Sequence, residues 1–206
     1  MKKIGIIDYG MGNLCSVRNA LDYIGAECFI SGEEKELEKA DGFILPGVGA
    51  FPDAAQKLEE TGLSAFIKER RKERPLLGIC LGMQLLFENG YEFRHCKGLA
   101  LIKGDVVRLQ AGEKNKKYKI PHIGYNSVTS VNSSSITAGI DEGSYFYFVH
   151  SYKGVCSDRG QLASVTEYGE EVTAIVSAGN VFGTQFHPEK SGEVGLTLLK
   201  NFTNLL

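Results

Sequence analysis

The stretch PLLGICLGMQLLFENG, residues 75–90, joins an apolar run to a segment with helical spacing, and a cysteine lies at the junction. Its first part, PLLGICL (75–81), is short, apolar and preceded by charged residues, which is typical of a buried strand. The part that follows, MQLLFENG, is predicted to be a helix. Cys80 therefore falls at a strand-to-helix bend, with Gly78 and Gly82 two residues to either side.

The segments before this stretch alternate between short β-branched runs and longer amphipathic ones. Strands are predicted at residues 3–9, 27–32 and 41–47, and helices at 12–25, 33–40 and 53–73, the last with a break at Gly62. Strands and helices that alternate at this spacing form βαβ units. The fold class is therefore predicted to be α/β, with an open, mainly parallel sheet and helices on both faces.

The pattern changes near residue 98, where strand-like runs follow one another with only turns between them. These runs cover residues 98–109, 119–131, 144–155, 161–168 and 171–186, and a last helix is predicted at 193–206. The second half is therefore expected to be β-rich, with an exposed loop at 110–119. At this length we expect one domain over residues 1–206.

Composition excludes several classes of function. The net charge of -2 provides no basic surface for a phosphate backbone, so nucleic acid is not an expected partner. The apolar stretches are too short and glycine-rich to span a bilayer, and the first residues lack the features of a signal peptide. The five cysteines form no C-x-x-C pair, which favours reduced thiols in a cytoplasmic protein and argues against a zinc site.

The sequence GICLG, residues 78–82, is the cysteine form of the G-x-S-x-G nucleophile elbow. In such an elbow the nucleophile occupies a strained turn, and the two glycines relieve the crowding around it. The N-terminus of the following helix would favour the thiolate, and the backbone N–H of Leu81 would point toward the atom under attack. A buried structural cysteine is the alternative, and the flanking glycines make the nucleophile the stronger hypothesis.

A thiolate needs a proton acceptor, and the chain has four histidines. His187 directly follows a predicted strand in GTQFHPEKS, and Glu189 lies two residues beyond it. We expect an extended backbone here, with Pro188 preventing a helix, so that both side chains face one way. The carboxylate could then orient the imidazole. A zinc interpretation fails because no third ligand is evident, and no metal is expected.

Two glycine-rich loops follow predicted strands. DYGMGNL (8–14) begins like a dinucleotide-binding fingerprint, but Cys15 occupies the third glycine position, so a tight turn is favoured. LPGVGAF (45–51) could present backbone N–H groups to an oxyanion or form a plain turn, and the residues alone leave both alternatives open.

Taken together, PGVGAF, GICLGMQLLF and GTQFHPEKS, in this order, resemble the motifs of the class I (triad) glutamine amidotransferases. The resemblance covers the whole chain and implies an α/β fold and release of ammonia from glutamine without a cofactor. It makes Cys80 the nucleophile, His187 the general base and acid, and Glu189 the residue that orients the imidazole. The oxyanion hole would be formed by Val48, Gly49 and Leu81, and the glutamine pocket by Gly47, Gln84, Ser151 and Tyr152.

Three further stretches, DYGMGNL, PHIGYN and YFVHSY, resemble glutaminase subunits that form a heterodimer with a (β/α)₈-barrel cyclase subunit in histidine biosynthesis. The residues that would face this partner are Asn13, Tyr125, Asn126, Tyr147 and His150. One departure is clear, because the family usually carries tryptophan where this chain has Tyr125. A paralogous glutaminase that supplies another synthase, such as one amidating a surface sugar, therefore remains an alternative. A cysteine hydrolase of the same sheet type and a non-enzymatic scaffold are weaker alternatives.

Overall fold

The first half of the chain alternates between strands and helices, as its sequence predicts. The computed structural model describes residues 2–111 and 118–206, and most of the loop expected at 110–119 lies outside those ranges. The elements up to the cysteine bend are β1 (Lys3–Ile7), α1 (Leu14–Tyr23), β2 (Glu27–Ser31), α2 (Glu34–Leu37), β3 (Gly42–Gly47), α3 (Phe51–Glu60), α4 (Leu63–Arg70), β4 (Leu76–Cys80) and α5 (Leu81–Leu85). The break expected at Gly62 is confirmed, since this residue separates α3 from α4.

The second half is mainly strand, which confirms the change of pattern near residue 98. Its elements are β5 (Phe87–Gly90), β6 (Cys96–Lys97), β7 (Ile102–Arg108), β8 (His122–Ser127), β9 (Thr129–Ser130), β10 (Tyr145–His150), β11 (Tyr152–Cys156), β12 (Leu162–Glu167), β13 (Glu171–Ala178), β14 (Val181–Thr184) and α6 (Gly192–Thr203).

An eight-stranded sheet with the order β2-β1-β3-β4-β14-β13-β12-β9 forms the centre of the fold. The strands from β2 to β14 in this order are parallel, and β13, β12 and β9 continue the sheet as antiparallel strands. The open, mainly parallel sheet is therefore confirmed. Two smaller sheets, β10-β8 and β11-β7-β5-β6, lie outside it.

Side chains that alternate along the strands build a core on each face of the sheet. On β1, Ile4 and Ile6 belong to a core cluster that includes Leu21 of α1 and Leu198 of α6. Ile7 on the opposite face joins a second cluster, which contains side chains of α2, α3, α4 and α5. Helices therefore cover both faces, as predicted from the apolar runs of the parallel strands.

The helix predicted for MQLLFENG is wrong beyond its first turn. α5 ends at Leu85, and Phe87–Gly90 forms β5, which pairs with β7 and β6. Phe87 is fully buried in this position. Asn89 and Gly90 are poor helix formers, so burial of the phenylalanine and strand pairing together override the local helical spacing.

The strand order brings distant parts of the sequence to one edge of the sheet. β4 lies between β3 and β14, with Cys80 opposite Gly47 and Ile79 opposite Thr184. Cys80 is therefore at the carboxyl end of a central parallel strand, where ligands bind in open α/β sheets. Among the helices of the described residues, none has the length and apolar character required to cross a bilayer.

Candidate active site

Cys80 has a backbone conformation that only glycine adopts readily, with φ of 55° and ψ of -109°. The bend is possible because its neighbours lack side chains. A Cβ on Gly82 would lie 1.8 Å from the carbonyl oxygen of Leu45, and one on Gly78 would lie 2.6 Å from that of Gly82. Strain of this kind costs about 1–3 kcal/mol and is commonly found at functional sites. A residue that only packed against its neighbours would not require a cysteine in this strained conformation.

The strain at residue 80 can be measured by comparing two substitutions. We expect Cys80→Gly to be more stable than Cys80→Ala by about 1 kcal/mol, because alanine keeps a Cβ at positive φ, while the greater freedom of unfolded glycine offsets part of the gain. Urea unfolding followed by circular dichroism measures the difference. The control is Ala65→Gly on the exposed side of α4, which should instead lose about 1 kcal/mol. Equal stability of the two residue-80 variants would contradict the strain.

His187 and Glu189 form a buried pair beside the cysteine. Nδ1 of His187 lies 2.8 Å from Oε1 of Glu189, and the two side chains are 4% and 1% exposed. Because a carboxylate oxygen accepts, Nδ1 carries the shared hydrogen. Nε2 then remains for the sulfur of Cys80, which lines the same cavity as His187. The three groups expected to form the triad are therefore contiguous.

The backbone between His187 and Glu189 has a different conformation from the expected one. Pro188–Lys190 forms a 3₁₀ turn, so the extended backbone predicted across Pro188 is wrong. Proline fits the first position of a helical turn, where its fixed φ is suitable and no N–H is needed. The turn is held to β10, because His187 N–H donates to the Tyr147 carbonyl at 2.9 Å and Tyr147 N–H donates to Ser191 Oγ at 3.0 Å.

Opposing effects set the protonation of His187. Burial lowers its pKa, but hydrogen bonds and charge interactions with Cys80 and Glu189 outweigh the burial and raise the pKa to about 9. The imidazole of His187 is therefore protonated at neutral pH and places a positive charge beside the sulfur of Cys80. The sulfur is thus prepared to act as a nucleophile.

The raised pKa of His187 makes the stability of the protein depend on pH. The protonated imidazole stabilises the folded state fully below the unfolded value of 6.5, and this contribution is lost as the pH rises through about 9. We expect the free energy of unfolding of the wild type to fall, between these two pH values, by on the order of 3 kcal/mol more than that of His187→Gln. Urea titrations at several pH values measure this, and parallel profiles would contradict it.

A cavity of about 350 Å³ opens in front of the cysteine. Val48, Gly49 and Leu81, expected to supply the oxyanion hole, line it together with Gln84, Ser151 and Tyr152. Val48 and Gly49 belong to the glycine-rich loop, and Gly49 has φ of 98°. This loop therefore lies beside Cys80 in the cavity wall. The remaining lining residues are Cys80, Glu92, Pro121, Val149, His150 and His187.

Gly47 is placed differently from the expectation that it lines the glutamine pocket. It is not among the cavity-lining residues in the part of the chain that the structure describes. A Cβ at this position would lie 2.8 Å from the backbone nitrogen of Gly82 and 2.8 Å from the hydroxyl of Tyr9. Its missing side chain therefore allows β3 to approach the elbow closely.

The residues expected to face a partner differ in their exposure: four are exposed or half-buried, and His150 is buried. Tyr125 is 60% exposed, and its ring lies 5.5 Å from that of Tyr147 on the neighbouring strand. Asn13 and Asn126 are half-buried. His150 corrects the expectation that it faces a partner, because it is only 6% exposed and its ring lies in the cavity wall. The alternation of β10 explains this, since His150 has the same orientation as the buried Phe148.

Sequence reasoning missed two residues of the site. Glu92 lines the cavity, and its carboxylate accepts a hydrogen bond from the backbone N–H of Phe51 at 2.8 Å. Burial raises the pKa of this carboxyl, against the effect of that hydrogen bond. Gln185 is fully buried and its side-chain amide donates to the sulfur of Cys80 at 3.8 Å. Glu92 lies in a polar connection without a motif, whereas Gln185 could have been noticed two residues before His187.

Comparison with known proteins agrees with this geometry. Residues 5–205 match the family described as "Glutamine amidotransferase class-I", and the chain belongs to that family. Within it, the chain is 49% identical to imidazole glycerol phosphate synthase subunit HisH of Bacillus cereus, over 98% of this chain and 95% of the relative. The HisH subunit of Caldanaerobacter subterraneus subsp. tengcongensis is 50% identical, with 98% of both chains covered.

Solved structures support the fold independently. The structure of PurLQS from Thermotoga maritima contains a chain that superposes with a TM-score of 0.77 at 21% identity, over 99% of this chain and 98% of that one. At this level of identity the likeness concerns the fold alone.

Proposed function

We propose that the chain is the glutaminase subunit of imidazole glycerol phosphate synthase, with Cys80, His187 and Glu189 as its catalytic triad. The observation that supports this most strongly is the strained Cys80, which lies at the cavity beside a buried His187–Glu189 pair. Relatives about half identical over nearly the whole chain carry the name of that subunit. The five cysteines, all within the described residues and all free, fit a reducing cytoplasmic location.

The geometry suits hydrolysis of the glutamine side chain in two steps. In the first, the Cys80 thiolate attacks the carboxamide carbon, and the carbonyl oxygen becomes an oxyanion beside the backbone of Leu81 and the glycine-rich loop. Imidazolium His187 donates a proton to the nitrogen, and ammonia leaves as the C–N bond breaks. A γ-glutamyl thioester on Cys80 remains.

The second step releases glutamate. A water molecule gives a proton to His187 and attacks the thioester carbon, and the C–S bond breaks to return the thiolate. Glu189 keeps the imidazole oriented in both steps through the hydrogen bond to Nδ1. One histidine therefore serves as acid and then as base.

Glu92 is the residue we assign to the α-ammonium group of glutamine. Its carboxylate lies in the cavity wall with Gln84, and opposite charge favours an ammonium group there. We expect Glu92→Gln to raise the KM for glutamine about tenfold with little change in kcat, because the uniform binding of substrate is weakened. The glutamine side chain can still accept from Phe51 N–H, so the fold should be kept. Steady-state kinetics measure this, and an unchanged KM would contradict the assignment.

We further propose that the partner is a (β/α)₈-barrel cyclase subunit, which forms a heterodimer with this chain and receives its ammonia. Free ammonia would be protonated and lost in solution, so delivery must be direct. The exposed Tyr125 and the half-buried Tyr147 form an aromatic pair on β8 and β10, and aromatic side chains are enriched at protein interfaces. His187 N–H bonds to the Tyr147 carbonyl, so this pair is connected to the triad.

The alternative is a paralogous glutaminase that serves another synthase, and Tyr125 in place of the family's tryptophan is the observation that favours it. Reconstitution separates the two. With the cyclase subunit present, the chain should support formation of imidazole glycerol phosphate from glutamine. Ammonium salts serve as the control, because they should support the cyclase without this chain. If the cyclase formed imidazole glycerol phosphate only with ammonium salts, and not with glutamine and this chain, the proposed partner would be contradicted.

A further inference from the structure

Two histidines that the triad does not use face each other in the protein interior. His122 of β8 and His150 of β10 are directly opposite in the antiparallel pair. Nδ1 of His122 lies 3.0 Å from Nε2 of His150, and the residues are 2% and 6% exposed. His150 reaches the cavity, whereas His122 is not among the lining residues that the described part of the chain provides.

The hydrogen-bond partners determine the direction of donation along this pair. Nδ1 of His150 lies 2.9 Å from the carbonyl oxygen of Tyr152, which can only accept, so Nδ1 carries the hydrogen. In the neutral ring Nε2 is then an acceptor, and His122 must donate to it from Nδ1. Nε2 of His122 is left as an acceptor toward the side-chain amide of Asn126, at 3.5 Å.

The environment of His122 preserves this arrangement. Its ring stacks on Tyr168 with centroids 3.9 Å apart and on Phe148 with centroids 4.9 Å apart, so two aromatic rings hold the imidazole in place. Burial lowers the pKa of His122 to about 4, and it is the main cause that lowers the pKa of His150 to about 3. Both rings are therefore neutral at neutral pH, and each has one donor and one acceptor nitrogen.

The far end of the pair reaches the reacting sulfur through two glutamines. The Tyr152 carbonyl also accepts from the side-chain amide of Gln84 at 2.9 Å. The same Gln84 nitrogen donates to the side-chain oxygen of Gln185 at 3.0 Å, and Gln185 donates to Cys80 Sγ. The carbonyl of Tyr152 is therefore the point where the histidine pair meets the wall of the cavity.

We propose that His122 is a positioning residue for glutamine binding: by donating to His150, it fixes the imidazole that holds the Tyr152 carbonyl in the pocket wall. It acts through another residue and does not touch the substrate. This inference rests on the proposed glutaminase function. It assigns to His122 a role that neither its motif nor its place outside the cavity indicates.

Kinetics of two variants in the heterodimer with the cyclase subunit test the proposal. His122→Phe keeps an aromatic ring for stacking and removes both nitrogens, and we expect the KM for glutamine to rise about tenfold with kcat changed less than about twofold. His122→Asn places an amide N–H near the position of Nδ1 and should restore much of the affinity. His95→Phe, at an exposed histidine outside the site, is the matched control and should behave as the wild type.

A purely structural role would give a different pattern. Partial unfolding would leave KM unchanged and lower kcat. It would also lower the fraction of Cys80 that reacts with iodoacetamide. That pattern, or a His122→Phe variant with wild-type KM, would overturn the proposal. Failure of the proposed function is distinguishable, because in that case the wild type itself would not hydrolyse glutamine in the complex.

A measurement on the wild-type chain keeps the test decisive if His122→Phe does not fold. Nitrogen-15 chemical shifts of the imidazole rings identify the protonated nitrogen in each histidine. We expect both His122 and His150 to be neutral at pH 7 with hydrogen on Nδ1. An Nε2–H form of either ring, or a charged ring at that pH, would break the required direction of donation and overturn the proposal.

Discussion

We expect Cys80→Ala to remove glutamine hydrolysis, with kcat reduced by about 10⁴-fold or more, while the protein remains folded. The size of the effect follows from covalent catalysis, because loss of the nucleophile removes the whole thioester route and leaves only substrate binding and the oxyanion site. The elbow itself should survive, since alanine is smaller than cysteine and Gly78 and Gly82 are unchanged. Ammonia release from glutamine in the heterodimer, measured with glutamate dehydrogenase, provides the rate.

The control for this substitution is synthesis from ammonium salts. Cys80→Ala should leave ammonium-dependent formation of imidazole glycerol phosphate by the complex unchanged, because the cyclase site is proposed to lie on the partner. Cys80→Ser should also be inactive, since a serine hydroxyl has too high a pKa for His187 to hold it as an anion. Glutamine turnover that survives in either variant would show that another group is the nucleophile.

Gly82→Ala should strongly destabilise the fold, because β3 leaves no room for a methyl group near the start of α5. The added Cβ would lie 1.8 Å from the carbonyl oxygen of Leu45, a backbone atom of β3 that cannot rotate away. We expect the free energy of unfolding to fall by at least about 3 kcal/mol, or the protein not to fold. Urea unfolding followed by circular dichroism measures this change.

Gly179→Ala is the matched control for a glycine substitution without a clash. Gly179 lies in the turn between β13 and β14 at φ of 58°, and a Cβ there meets no atom within 4 Å. It should therefore cost only the backbone strain of about 1–2 kcal/mol. Equal losses from the two substitutions would mean that the elbow does not need the close approach of α5 to β3.

Local signals explain why the first half of the fold could be predicted. Short apolar runs and helical spacing identify β1 to β4 and the helices between them, and each of these depends mainly on neighbouring residues. The same pattern places Cys80 at the end of a strand, and two glycines indicate the bend. The candidate nucleophile is therefore evident from residues 75–90 alone.

The parts that sequence could not predict depend on long-range contacts. Nothing local indicates that β14 inserts beside β4, which is what brings His187 to Cys80. The strand β5 forms because Phe87 is buried by residues distant in the chain, against its helical spacing. Glu92 reaches the cavity from a connection without periodicity, and the burial of His150 becomes visible only from the position of β10.

The central claim is that Cys80, activated by His187, forms the covalent intermediate in glutamine hydrolysis. A diazoketone analogue of glutamine labels such a nucleophile, and mass spectrometry of the digested heterodimer locates the label among the five cysteines of this chain. We predict one equivalent on Cys80, formed at the rate at which activity is lost, with the reaction strongly slowed in His187→Gln. Loss of activity with the label on another residue, or without a label on Cys80, would contradict the account.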